Sequence, residues 1–274
     1  GTPPYGAGPR AAGREFAGDA VKHQVHRSGE DRLSENQEQA TPGARATMST
    51  GRWAWEWLKS ILIAFGLFLL IRTFLVEAFR IPTGSMENTL LVGDFLLVNK
   101  AVYGAQIPGT RVRLPAFDEP RLGDVIVFLP PHEPDKNYVK RLVGMPGDTL
   151  FMRDKVLYRN GQPQIEPFVH HSDPNDIDAA SMLWQRDYLA PGVDPATYHP
   201  TRDNWGPIVV PPGRYFVLGD NRDDSEDSRY WGFVDGKSIR GRPLFIYYSF
   251  DPSILKPFPW LTGIRWGRIG GTVH

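Results

Sequence analysis

Three short segments carry residue types that could do acyl chemistry together. The first is RIPTGSMENTL, residues 80–90, where Pro82 and Gly84 constrain the backbone around two hydroxyls, Thr83 and Ser85. A serine so held can serve as a nucleophile, and the same residue types also build an ordinary turn. The second is YVKRLVGMPGD, residues 138–148, a strand-like run. Alternation sends Lys140 to one face with Tyr138 and Leu142, and Arg141 to the other. Flanked by Val139, Leu142 and Val143, the amine can lose water, and desolvation penalises the ammonium. A base working near pH 8 has to titrate about 2 to 3 pH units below an ordinary lysine near 10.4, a bias of roughly 3 to 4 kcal/mol. An edge-strand lysine that snorkels to water and guards against aggregation carries the same local wording.

The third segment is LGDNRDDSEDSRYWGFV, residues 218–234. Its acids invite a calcium loop. Counting from Asp220 or Asp223, however, Ser225 or Ser228 falls where that loop needs Gly, and Trp231 or Val234 where it needs Glu. The alternation with Arg222 and Arg229 reads instead as a loop held by its own ion pairs, or as a solvated turn. Histidine offers no competing chemistry. None of His23, His26, His132, His170, His171, His199 and His274 sits in a hydrolase signature, and Gly-x-Ser-x-Gly is absent. Cysteine is absent too, which removes thiol catalysis, disulfides and Cys-based zinc sites. No metal and no cofactor is assigned.

In order and wording the three segments resemble the boxes of bacterial type I signal peptidases (leader peptidases), a Ser/Lys-dyad serine protease family. Pro82-Thr83-Gly84-Ser85-Met86 stands where that family has Pro-Ser-x-Ser-Met, and Lys140-Arg141 precedes the turn Gly144-Met145-Pro146-Gly147-Asp148. GDVIVF at 123–128 and GDNRD-x-S-x-DSRYWG at 219–232 complete the set. The resemblance implies Ser85 as nucleophile and Lys140 as general base, with Ser225 orienting the lysine and Asp227 and Arg229 bracing that loop. It also implies an oxyanion held by the Ser85 backbone N–H and the Thr83 hydroxyl. Substrate would bind as an added β-strand, its small side chains, typically Ala-x-Ala, entering shallow apolar pockets. Phe79, Ile81, Pro82, Met86, Leu90, Val127, Phe128, Tyr138 and Val139 are the expected pocket walls. Two positions depart from the commonest wording: Thr83 replaces Ser, keeping the hydroxyl with a restricted rotamer, and Asp224 stands where Asn is common. The implied function is a membrane-bound endopeptidase that removes signal peptides from exported preproteins. Its partners are those preproteins and the lipid bilayer, with no nucleic acid. Its place is the cytoplasmic (inner) membrane, single-pass, with the catalytic domain on the outer, periplasmic side.

Elements able to position these residues are legible around them. Ahead of Ser85 the apolar run Ile61–Ile71 is unbroken but only 11 residues long. If Lys59 and Arg72 snorkel, Ala54 to Val76 covers about 35 Å as a helix, with Trp53, Trp55 and Trp57 as an interfacial belt. We expect a transmembrane anchor over 53–78. Val76-Glu77-Ala78 also resembles a cleavage site, so a secreted form, its leader removed, stays open. Arg45, Arg52 and Lys59 precede the run and Arg72 and Arg80 follow it, which favours an inside amino end. Beyond residue 79 the text reads as short strands: FLLVNKAVYG, DVIVFLP, NYVKRLVGM, TLFMRDKVLYRNG, RYFVLGD and RPLFIYYSF. The expected fold is mainly β, an antiparallel catalytic sheet over 79–150 and 213–274 with a β-rich insertion at 151–212. Residues 1–50, poor in large apolar side chains, read as a disordered tail or, given Met48, as an artefact of the chosen start site. Near the other end, Trp260 and Trp266 among apolar and basic residues suit either a membrane surface or ordinary packing.

Bulk composition narrows the function. The chain has 274 residues, 41% of them hydrophobic, and equal counts of acidic and basic residues, 31 each, so nothing global draws it to nucleic acid. A self-cleaving repressor, similar in fold and in its Ser/Lys pair, would need an amino-terminal helix-turn-helix, and an apolar helix occupies that place. A non-catalytic β module tethered to a membrane is the remaining alternative, opposed by the joint presence of Ser85 and Lys140.

Overall fold

A computed structural model describes residues 50–274 except 107–109 and 111. The tail expected over residues 1–49 lies outside them. Helix α1 (Thr50–Phe74) holds no proline, and its side chains from Gly51 to Arg72 are exposed. From Gly51 to Phe74 it is long and apolar enough to cross a membrane. Lys59 is offset by Glu56, 2.8 Å away. At the far end Leu75 N–H closes on Ile71 C=O, and Lys100 Nζ donates to Arg72 C=O (3.1 Å).

The helix stops earlier than its expected end at residue 78. Strand β1 (Val76–Arg80) pairs antiparallel with β2 (Asp94–Asn99), Val76 opposite Asn99 and Arg80 opposite Phe95. Pairing to β2 satisfies the backbone that a longer helix would have satisfied internally. Val76-Glu77-Ala78 therefore lies within the sheet.

Strands β3 (Val125–Phe128), β4 (Tyr138–Gly144), β9 (Arg214–Leu218), β10 (Val234–Asp235) and β11 (Ile239–Ser249) complete a seven-stranded antiparallel sheet. Its order is β1-β2-β11-β3-β4-β9-β10. A second sheet, β7-β6-β5-β8, is built from β5 (Thr149–Arg153), β6 (Val156–Arg159), β7 (Gln162–Pro163) and β8 (Trp205–Val209). Among the described residues the fold is thus mainly β and antiparallel, with one long apolar helix ahead of the sheets.

The stretch 151–212 is not an appended piece. Its Met152, Leu157, Met182, Trp205 and Ile208 share one buried cluster with Val143, Phe216 and Leu218 of the main sheet and with Phe233, just ahead of β10. Burying such side chains contributes about 1.5–3 kcal/mol each, so the two sheets stabilise one another.

Candidate active site

The turn that carries Ser85 is fixed from below. Ile81 exchanges backbone bonds with Asp94 (2.8 Å) and Gly93 (3.0 Å), while Met86 and Leu90 are buried in the cluster with Leu96, Val98 and Ile246. Within the turn, Glu87 N–H reaches Gly84 C=O, and both Thr89 and Leu90 N–H reach Met86 C=O. Ser85 is left half-buried at the crest. Its carbonyl accepts from Asn221 N–H (3.1 Å), and the Gly84 carbonyl accepts from Asn221 Nδ2 (3.3 Å). Among the described residues, the Ser85 amide, the Ser85 hydroxyl and the exposed Thr83 hydroxyl make no hydrogen bond, so these donors are available to a bound group.

Lys140 sits on β4 opposite Ile126. Strands β3 and β9 flank β4, and the lysine, at the cleft, is only 3% exposed. Its Nζ donates to Ser225 Oγ at 3.0 Å. Burial pushes the amine down to about 8, and the nearby Arg229 guanidinium adds to the effect against the attraction of Asp227, Glu226 and Asp220. A lysine in that range is partly neutral near pH 8 and can accept a proton. Arg141, on the opposite face, is clamped by Asp220 (2.8 and 2.7 Å) and donates to Gly123 C=O (2.8 Å), with its guanidinium over the Phe168 ring at 3.7 Å.

Ser225 belongs to a loop braced by a buried ion pair. Arg229 makes two bonds to Asp227 (2.8 and 2.9 Å), both side chains having no exposure. Burial alone would raise the Asp227 carboxyl, but the Arg229 guanidinium, joined by Lys140 and the Gly219 N–H, more than offsets this and holds it below the ordinary carboxylate range. Asp227 also caps the short helix α2 (Ser228–Trp231) and accepts from Gly219 N–H (3.1 Å). Arg222, expected to pair within this loop, instead grips Glu166 of the insertion (2.8 and 2.7 Å).

Gly219 lies where nucleophile turn and base-supporting loop meet. A methyl group there would fall 2.2 Å from Ser225 Oγ and 2.4 Å from the Ser85 carbonyl oxygen. Gly219→Ala must push the two apart, with an expected loss of about 1–3 kcal/mol of stability and of at least about tenfold in activity. A denaturant melt and a cleavage assay on the same preparation check both.

Ser85, Lys140, Thr83 and Ser225 all line one cleft of ≈ 980 Å³, together with Phe79, Ile81, Pro82, Met86, Tyr138 and Val139. Leu90, Val127 and Phe128, expected as pocket walls, do not line it. Both faces of β3 are covered, so Val127 packs with Val139 and Leu90 on one side and Phe128 with Leu142 and Val217 on the other. His132 and Ser181, which no motif marks in the sequence, line the cleft as well, as do Tyr230 and Trp231. His132 stacks on Trp231 with ring centres 5.5 Å apart and meets Tyr138 edge-on. Asp224, the departure from common wording, also faces the cleft. Among the described residues no group of three or more His, Asp or Glu could hold a metal ion.

Comparison with known proteins gives a consistent answer. Residues 54–248 match the family model for signal peptidase, peptidase S26. The chain is 38% identical over 216 residues to the signal peptidase I of Pseudomonas aeruginosa, covering 73% of this chain and 74% of that protein. It is 32% identical over 264 residues to the signal peptidase I of Haemophilus influenzae, covering 78% and 74%. A solved signal peptidase I from Enterococcus faecalis is 32% identical and covers 46% of this chain and 98% of that one, with a TM-score of 0.31, too low to bear on the fold.

Proposed function

The chain belongs to the signal peptidases of peptidase family S26 and is a serine endopeptidase; on that premise we propose that it cleaves exported preproteins after Ala-x-Ala-type sites with Ser85 as nucleophile and neutral Lys140 as base. The observation that carries this reading is the Lys140 amine, buried, held by Ser225 Oγ at 3.0 Å, and facing the same cleft as Ser85. Neutral Lys140 takes the Ser85 hydroxyl proton as Oγ attacks the scissile carbonyl. The oxyanion is met by the Ser85 N–H and the Thr83 hydroxyl. The ammonium returns its proton to the leaving amine, leaving an acyl-enzyme. Water then gives a proton to Lys140, its oxygen attacks the ester, and Ser85 leaves reprotonated with the mature protein already free.

Small residues before the cut suit a cleft floored by Met86 and Ile81 and walled by Phe79 and Val139. A preprotein strand would lie along this wall, hydrogen-bonded as an added β-strand. Helix α1 crosses the inner membrane with its amino end inside, which puts the cleft on the periplasmic face. Contact with the bilayer by the far end of the chain is favoured by its exposure, since Trp260 is 55% and Trp266 74% exposed beside Lys256.

The pH profile tests the base. With Lys140 titrating at about 8, kcat/KM is expected to rise with pH about tenfold per unit below pH 7 and to level off above pH 9. A profile flat from pH 6 to 9 would exclude a free-enzyme base titrating near 8.

A further inference from the structure

The loop holding Ser225 is gripped from outside by residues of the 151–212 stretch. Between β5 and β6 a two-residue turn puts both Asp154 (φ +46) and Lys155 (φ +68) in the left-handed region. Such turns favour Asn-Gly or Asp-Gly, because glycine takes positive φ without a steric cost. A lysine there persists where its surroundings hold it. Its Nζ lies 2.8 Å from Asp223 Oδ1, 2.9 Å from Asp203 Oδ2 and 2.8 Å from the Asp173 carbonyl oxygen. Asp223 is a buried carboxylate two residues before Ser225, and it also accepts from Asp173 N–H (2.9 Å). Arg202 and His171 are the other charged or titratable groups facing it.

A second grip lies alongside. Glu166 holds the buried Arg222 through two bonds, and Arg222 Nε returns to the Gly219 carbonyl (3.1 Å). Backbone bonds from His170 N–H to Asp220 C=O (2.8 Å) and from Arg222 N–H to His170 C=O (2.9 Å) complete the seam. Asn221, enclosed by these contacts, is the residue that donates to the Ser85 carbonyl.

We propose that Lys155 and Glu166 are positioning residues, through which the insertion sets the loop so that Ser225 Oγ meets Lys140 Nζ and Asn221 meets the nucleophile turn. The proposal rests on Lys140 acting as the base. Around that amine stand Asp227, Arg229, Glu226 and Asp220. If the grip loosens, water reaches the amine, so the acidic limb of the pH profile moves up, which a brace remote from the chemistry would not cause.

The test compares Lys155→Gly, Lys155→Arg and Glu166→Gln with the parent, all as the full chain in detergent. Thermal midpoint, kcat and KM are read on one model preprotein from pH 6 to 10. Lys155→Gly supplies the residue the turn prefers, so a lysine with only a local role predicts an unchanged kcat. We expect Lys155→Gly and Glu166→Gln to lose about tenfold in kcat with KM within about twofold, and to shift the acidic limb upward by about half a pH unit or more. Lys155→Arg recovers most of the loss. Folded Lys155→Gly and Glu166→Gln proteins with the parent's kcat and acidic limb would overturn the proposal, and Glu166→Gln decides alone should Lys155→Gly not fold. Lys140→Ala is run alongside: cleavage by that variant sinks the base assignment itself, whereas its inactivity beside fully active insertion variants sinks only the positioning role.

Discussion

Lys140→Met is expected to abolish cleavage while making the fold more stable at neutral pH. Loss of the base should cost on the order of 10⁴-fold or more in kcat, as when one member of a concerted catalytic group is removed. Stability moves the other way for an electrostatic reason. An ordinary lysine at 10.5 and this one at about 8 differ by about 3 kcal/mol in the cost of carrying the proton. Below pH 8 the folded parent bears that cost in full. Between pH 8 and 10.5 the unfolded chain binds more protons than the folded one, so the parent gains stability as pH rises, and above 10.5 the cost is gone. Methionine has similar bulk and no charge, so its advantage of about 3 kcal/mol at pH 7 should shrink through this window. Denaturant melts at pH 6.5 and 10.5 measure the difference. Parallel behaviour of parent and variant would mean that Lys140 titrates like a surface lysine.

Asp227→Ala is expected to give the largest loss of stability from a single substitution in the site. Arg229 would remain buried with its guanidinium uncompensated, a cost of about 3–5 kcal/mol. Gly219 N–H and Arg229 N–H lose their acceptor as well. Because a buried pair replaced as a whole by apolar residues is often near neutral, adding Arg229→Met should recover much of the loss. A urea midpoint for the two variants settles it, and a single-variant loss under about 1 kcal/mol would mean that water reaches Arg229. Activity falls in both, since Ser225 lies in the same loop.

Much of this site could be read from local sequence, and the rest could not, for identifiable reasons. Alternation put Lys140 and Arg141 on opposite faces of a strand, and the structure places them so. Strand type was legible wherever β-branched and aromatic residues ran between Gly, Pro, Asn and Asp, as in Val125–Phe128 and Arg214–Leu218. Burial was not, because periodicity cannot tell a strand covered on both faces from one that walls a cleft. Val127 and Phe128 were misread for that reason, as was Leu90 behind them. Partners distant in sequence were also invisible. Asn221 and Gly84 stand 137 positions apart, and Arg222 left its own loop for Glu166. The anchor's end was misplaced because Val76, Ala78 and Phe79 suit a helix and a strand equally, and only pairing with β2 decides between them.

The most direct measurement is cleavage of a model preprotein bearing an Ala-x-Ala site by the intact enzyme in detergent, against Ser85→Ala prepared identically. Ser85 lies in a turn whose backbone bonds do not involve its hydroxyl, so the variant should fold with the parent's melting behaviour. Its cleavage is predicted to fall on the order of 10⁴-fold or more, toward the background rate. Cleavage by folded Ser85→Ala at the parent's rate would contradict the assignment of Ser85 as nucleophile and require another residue of the cleft to do the attack.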